Sequence, residues 1–314
     1  MKPLPRRRLL QSAILALGAA PLAAWAQGAY PDRPIKLIVP FPSGALTDAL
    51  GRLVAEQLRP ALGQPLVVMN RPGAGTLLGA SQVAKSPADG YTLMVATSTT
   101  LAISPAMYAT PAAVTSDFVG VAMIGAVSLL LVTRADMPAR TLPELVAEIR
   151  KQPGRYNFAS PGIGTMHHLV LEMIKAKEDL KATHVPYQGS MGALTDLLSG
   201  RIDFMFLDAV AAMPQVQAGK LRVIALAAPK RSAALPDVPT VAETYPQMDV
   251  YAWQTIAAPR ATPPEIVERL NAEINKLLGT AEMRAALEKV GVAADAMRHP
   301  VSTSCRLEHG LEPA

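Results

Sequence analysis

Two stretches of the chain carry one pattern: a short apolar strand that runs through a Pro/Gly/Ser turn directly into an amphipathic helix. The first is Ile35-Lys-Leu-Ile-Val-Pro-Phe41-Pro-Ser43-Gly44-Ala45-Leu46-Thr47-Asp48, and the second is Tyr156-Asn-Phe-Ala-Ser160-Pro-Gly162-Ile-Gly164-Thr165-Met-His-His168. A helix that starts this way leaves its first backbone N–H groups unpaired beyond the strand's carboxyl end, where the helix dipole also favours negative charge. Each turn is therefore a candidate anion cradle. Facing one another across a cleft, two such turns hold a small carboxylate with little help from charged side chains.

The rest of the chain fits the same architecture. Apolar runs at 35–39, 66–69, 92–96, 129–133, 156–159, 202–206 and 222–227 alternate with helical patterns, which predicts α/β layers with mostly parallel sheets. Leu50, Leu53, Val54 and Leu58 recur at helical spacing, as do Leu142, Leu145, Val146 and Ile149. Thr141-Leu-Pro-Glu144 and Thr262-Pro-Pro-Glu265 read as capping boxes with proline in the first turn. Segments 103–120 and 229–249 have linker composition, and His299–Ala314 lacks apolar periodicity and reads as a frayed tail.

Arg6-Arg7-Arg8, an apolar stretch from Leu9 to Ala23 and then Ala24-Trp25-Ala26 are in the order of a cleaved secretory signal, which places residues 1–26 outside the mature fold. The triple arginine also resembles a twin-arginine signal, and the apolar stretch is shorter than the roughly 20 residues a membrane span needs. Removing residues 1–26 takes four cations and no acid, so the formal net charge falls from +5 to +1. No basic stripe with interleaved aromatics is present, which argues against nucleic-acid binding. The single Cys305 permits no internal disulfide, so stability must come from an apolar core.

Thr97-Ser98-Thr99-Thr100 follows the strand at 92–96, placing hydroxyls at the carboxyl edge where α/β clefts bind ligands; a helix cap or plain loop is the alternative. Asp208 follows the apolar run 202–207 and either orients a ligand ammonium or water or caps the next helix. His167 and His168 point about 100° apart on a helix, a poor chelating pair, so no metal site is expected. His184 and Tyr187 read as packing residues near the cleft. A Gly-x-Ser-x-Gly elbow, a His-Glu-x-x-His motif, a dinucleotide fingerprint and a Walker loop are all missing from the sequence, so no catalytic residue and no cofactor are expected.

Tyr30-Pro-Asp-Arg-Pro-Ile-Lys-Leu-Ile-Val-Pro-Phe-Pro-Ser-Gly resembles the mature start of the substrate receptors of tripartite tricarboxylate transporters, the Bug receptor family. Further segments match in order: Asn70-Arg-Pro-Gly-Ala-Gly75, Pro87-Ala-Asp-Gly-Tyr-Thr-Leu93, Ser160–Thr165 with His168-Leu169, and His184-Val-Pro-Tyr-Gln-Gly189. Asp196-Leu-Leu-Ser-Gly200, Gly219-Lys-Leu-Arg222, Leu235-Pro-Asp-Val-Pro-Thr240 and Trp253 continue the match. The resemblance implies a type II periplasmic-binding-protein fold, with two α/β domains around a ligand cleft and two crossing hinge segments. The domains it implies are 27–125 plus 251–314 and 126–250. It also implies a periplasmic receptor for a small organic carboxylate that works, as a monomer, with the membrane permease subunits of a tripartite transporter. An extracytoplasmic sensor and a secreted α/β hydrolase are the rival readings.

The candidate ligand residues are Phe41, Ser43, Gly44, Ala45 and Asp48 from the first turn and Ser160, Gly162, Gly164, Thr165 and His168 from the second, with Thr97, Ser98 and Asp208. The chain departs from the family pattern in two places: Ser43-Gly44-Ala45 stands where Pro-Gly-Gly is usual, and the tail lacks the usual terminal amphipathic helix.

Overall fold

The computed structural model describes residues 30–108, 112–228 and 230–293. The expected signal segment 1–26 and the tail 299–314 with Cys305 lie outside the described residues. In chain order the strands are β1 (Ile35–Val39), β2 (Leu66–Asn70), β3 (Thr92–Thr97), β4 (Phe118–Val127), β5 (Leu129–Arg134), β6 (Asn157–Ser160), β7 (Thr183–Pro186), β8 (Phe204–Asp208), β9 (Leu221–Ala227), β10 (Ala252–Pro259) and β11 (Val292–Ala293). The helices are α1 (Leu46–Leu62), α2 (Leu77–Ala84), α3 (Ser104–Met107), α4 (Leu142–Lys151), α5 (Met166–Glu178), α6 (Ser190–Leu198), α7 (Ala209–Gln217), α8 (Val241–Thr244), α9 (Pro264–Leu278) and α10 (Ala281–Lys289).

The strands form two sheets, one ordered β11-β4-β10-β3-β1-β2 and the other β7-β6-β8-β5-β9. β4 ends at Val127 in the first sheet and β5 starts at Leu129 in the second, so the chain changes sheet through the single residue Ser128. It returns between β9 and β10.

Both sheets are mixed, which corrects the expectation of mostly parallel pairing. The pairs joined through helical crossovers are parallel: β1–β2, β1–β3, β6–β7 and β6–β8. Antiparallel pairing comes with β4, which leaves the first sheet, and with β5 and β10, which enter a sheet from the other one. These pairs are β3–β10, β4–β10, β4–β11, β5–β8 and β5–β9. Such strands need no right-handed crossover, and β10 accordingly inserts between β3 and β4.

Local chemistry explains where the other expectations hold and fail. Thr141 accepts a hydrogen bond from the Glu144 N–H, but Glu144 accepts in return from Arg140 N–H rather than from the cap residue itself. Thr262 does not cap: Pro263 is the N-cap of α9, and the Thr262 hydroxyl is buried without a partner. A full capping box instead lies within 229–249, where Thr240 and Glu243 exchange hydrogen bonds and Arg231 grips the Glu243 carboxylate. Segment 103–120 is likewise not all linker, since it holds α3 and the start of β4. The strands not foreseen are β4, β7, β10 and β11: β7 and β11 are four and two residues long, β10 has only Thr255 and Ile256 as branched residues, and in β4 Gly120, Ala122, Gly125 and Ala126 interrupt Val119, Val121, Ile124 and Val127.

Both cores are apolar throughout. In the first, Ile38, Met94 and Ala96 of β1 and β3 pack with Val83, Leu101 and Phe118. In the second, Leu130, Val132, Met205 and Leu207 pack with Leu194, Leu197 and Leu226. Gly51 sets the approach of α1 to the first sheet: a Cβ there would lie 3.0 Å from Val39 Cγ2 and 3.2 Å from Val95 Cγ2. Gly51→Leu therefore overpacks the layer that carries the first turn, with an expected loss of about 1–3 kcal/mol in urea denaturation. A variant as stable as the parent would show that the helix can lift freely from the sheet.

Candidate functional site

The two turns share one backbone design. Gly44 (φ +83°) and Gly164 (φ +79°) take left-handed conformations open to glycine, and each precedes an extended N-cap residue, Ala45 (φ −73°, ψ 161°) or Thr165 (φ −72°, ψ 156°). At both starts the third helical residue reaches back to the glycine. Asp48 accepts from the Gly44 N–H at 2.9 Å, and His168 Nδ1 accepts from the Gly164 N–H at 3.3 Å.

The two anchors complete different networks. The buried Asp48 carboxylate also accepts from Arg52, from the Ser43 hydroxyl and from Asn70 Nδ2 at 2.8 Å, and Asn70 donates to the Phe41 carbonyl at 3.1 Å. Burial raises the Asp48 pKa, but hydrogen bonds from Arg52, the Gly44 amide and Asn70 outweigh it and hold the carboxyl below its ordinary value. In the second turn the Thr165 hydroxyl donates to the Gly162 carbonyl at 2.8 Å and accepts from the His168 amide. Asp48 and His168, both candidate ligand residues by sequence, are thus committed to shaping the turns.

What remains unpaired points to one place. The amides of Leu46 and Thr47 at the start of α1, and of Met166 and His167 at the start of α5, have no acceptor among the described residues. All four residues line a single cavity between the two sheets, of about 50 Å³ and so wide enough for a few waters. Of the candidate ligand residues, Phe41, Ala45, Thr97, Ser98, Thr165 and Asp208 line it. Ser43, Gly44, Asp48, Ser160, Gly162, Gly164 and His168 lie outside its lining, because they form the turns that aim the helix starts.

Sequence reasoning missed several wall residues: His167, Ser190, and Trp253 and Gln254 at the beginning of β10. Only Trp253 left a signal, as part of the family resemblance. The Ser98 hydroxyl, 3% exposed as a residue, and Gln254 Oε1, 5% exposed as a residue, are buried without a hydrogen-bond partner, and so is His167 Nε2. Buried polar atoms left unpaired together around a cavity mark a place built for a ligand or ordered water. Among the described residues lining the cavity there is no lysine or arginine. Thr97 is less available: its hydroxyl accepts from the Thr100 amide and pairs with the Thr100 hydroxyl at 3.1 Å, fixing the π-helical turn Thr99–Ile103.

Behind the second turn three rings stack, with Phe158 against His184 (4.9 Å between centroids) and His184 against His168 (4.1 Å). Ser160 Oγ lies 2.7 Å from His184 Nε2. Burial, and then the neighbouring His168, push His184 down to about 4 from 6.5. Burial also lowers His168, which must stay neutral at Nδ1 to accept from Gly164. A folded-state pKa below the unfolded value means that the His184 contribution is complete above pH 6.5 and is lost as pH falls toward 4. The expected loss is about 1–2 kcal/mol, less than the full conversion of the shift because the ring is partly open to solvent. Denaturation at pH 7.5 and at pH 4.5 should show it in the parent, and a His184→Gln variant should show a shallower slope. Equal slopes would remove His184 from the acid response.

Residues 50–300 match the tripartite tricarboxylate transporter family receptor. Protein BugT of Bordetella pertussis is 39% identical over 266 residues, covering 83% of this chain and 80% of BugT. MatC from Rhodopseudomonas palustris, solved with bound malate, is 31% identical with a TM-score of 0.81, covering 88% of this chain and 96% of MatC. An R. palustris protein solved with adipate is 34% identical with a TM-score of 0.80, covering 88% of this chain and 95% of that one. The fold is accordingly the type II periplasmic-binding fold, with two α/β layers around a cleft. The helix starts that converge on the cavity, and the match over most of its length, make this chain a member of the tripartite tricarboxylate transporter receptor family, a solute-binding receptor.

Proposed function

We propose that this receptor captures a small organic carboxylate in the cavity between its sheets and delivers it to the permease subunits of a tripartite transporter. The observation that carries the reading is the pair of helix starts whose free amides, at Leu46 and Thr47 and at Met166 and His167, belong to residues that border one cavity lined by no lysine or arginine among the described residues. Backbone donors and two helix dipoles supply the positive potential that a carboxylate needs. The malate and adipate bound by two relatives are ligands of this class. The protein works in the periplasm, exported by a signal within residues 1–26, as a monomer that turns over no substrate.

The two bodies that close are those expected at 27–125 plus 251–314 and 126–250, with the first crossing at Ser128, because Ala126 and Val127 pair with β10 and β11 in the first sheet. The change of sheet at Ser128 and the return before Ala252 supply the two crossings of a hinge. Ligand that touches both bodies favours the closed population.

Proline at the first position of a helix keeps the helix and deletes one amide. The extended ψ of Thr165, 156°, suits the residue before a proline. Met166→Pro should therefore weaken carboxylate binding about tenfold or more, the worth of one hydrogen bond to a charged group, with little change in ligand-free melting temperature. The readout is thermal shift against a carboxylate panel, in which a ligand at 100 times its Kd adds about 2.7 kcal/mol to the parent. Undiminished binding by Met166→Pro would show that the second helix start is not the anion site. Small-angle scattering at saturation should show a smaller radius of gyration than without ligand; superimposable curves would rule out closure.

A further inference from the structure

Asp208 ends β8 at the cavity, and its carboxylate is unusually idle. The residue is the N-cap of α7, yet the side chain makes no capping hydrogen bond, which removes the structural role its position offers. The side chain is 12% exposed, and among the described residues its neighbour is His167, whose Nε2 lies 3.4 Å away and forms an ion pair only when the imidazole is protonated. Gln254 Oε1, a second acceptor on the same wall, is buried and unpaired. Burying an amide oxygen without a donor is costly, and beside the Asp208 carboxylate the wall offers only the His167 imidazole, with no lysine or arginine among the described residues lining the cavity.

The cavity thus presents two kinds of group. The amides of the two helix starts and the Ser98 hydroxyl are donors that suit a carboxylate, whereas the Asp208 carboxylate only accepts and Gln254, whose amide also carries an NH2, turns its unpaired Oε1 inward, an acceptor that a carboxylate does not satisfy. A plain dicarboxylate would leave both acceptors empty and bring like charge to Asp208. An ammonium brings up to three N–H donors and the opposite charge. We infer that the acceptor pair Asp208 and Gln254 selects a carboxylate that also carries an ammonium group, an amino-acid-like zwitterion, an inference that rests on the carboxylate reading of the same cavity.

The test is isothermal titration at pH 7.4 with pairs that differ chiefly in the ammonium group: alanine against propionate, aspartate against succinate, and glutamate against glutarate. In the parent the amino member of at least one pair should bind about tenfold tighter, the scale of one charge-assisted hydrogen bond. Asp208→Asn should bring that preference to within about threefold and leave the partner without ammonium unweakened. Equal or tighter binding of the plain acids by the parent would overturn the inference while leaving the carboxylate reading intact. A preference that survives Asp208→Asn, or an equal loss for both members of a pair, would also overturn it, the latter by limiting Asp208 to positioning His167. Binding of neither member in any pair, nor of any carboxylate in the wider panel, would overturn the carboxylate reading and the inference with it.

Discussion

The bond on which the site depends is the one from each left-handed glycine amide to the third residue of the helix that follows. Asp48 holds Gly44 and His168 holds Gly164, and each bond fixes the angle at which a helix enters. With those amides occupied, the amides of the first two helical residues have no acceptor among the described residues, and those residues line the cavity. Preorganised backbone donors lose no side-chain entropy on binding, unlike a lysine or arginine that must be ordered around its ligand. The site gains a positive potential without importing a cation that would need its own counter-charge when empty.

The two anchors are chemically unequal, and that matters for acid. Asp48 is held charged by Arg52, the Gly44 amide and Asn70 against the cost of its burial, so its turn withstands pH well below neutrality. His168 must be neutral to accept from Gly164, and it is stacked on a second imidazole that burial also keeps neutral. Protonation of either ring would place charge at the positive end of α5, where the dipole opposes it. The second turn is therefore the acid-sensitive half of a site whose two halves share the same backbone.

The repeated strand–turn–helix design was legible from the chain because it is local: the glycine, the cap and the first apolar turn fall within a dozen residues. Its aim toward a common cavity followed from the helix-start argument. The side chains that face the ligand space were harder to read, since His167 and His168 differ only by the 100° step of a helix, and the one that looked available is stacked behind the turn. Asp48 misled for a related reason: an acid in a first turn suits the dipole equally whether it meets ligand or closes on its own backbone. Gln254 and Ser190 were invisible because their place depends on which strands neighbour which, a property set by non-local pairing such as β10 between β3 and β4. Mixed sheets were missed on the same ground, for periodicity reports burial and not strand direction.

A cavity whose anion donors are mainly backbone carries little information about what lies beyond the carboxylate, because any sequence that closes the two turns offers nearly the same donors. Discrimination then falls to the few side chains on the wall. Ala45 adds a methyl at the first N-cap, where it narrows the approach to α1 without offering a hydrogen bond. Asp208 and Gln254 add acceptors, and Ser98 adds a hydroxyl. None of these four side chains holds either glycine turn, so each can vary without disturbing the backbone amides of the two helix starts. The division of labour separates what binds any carboxylate from what ranks one carboxylate above another, and it allows one scaffold to serve receptors for different acids by changing residues that carry no structural duty.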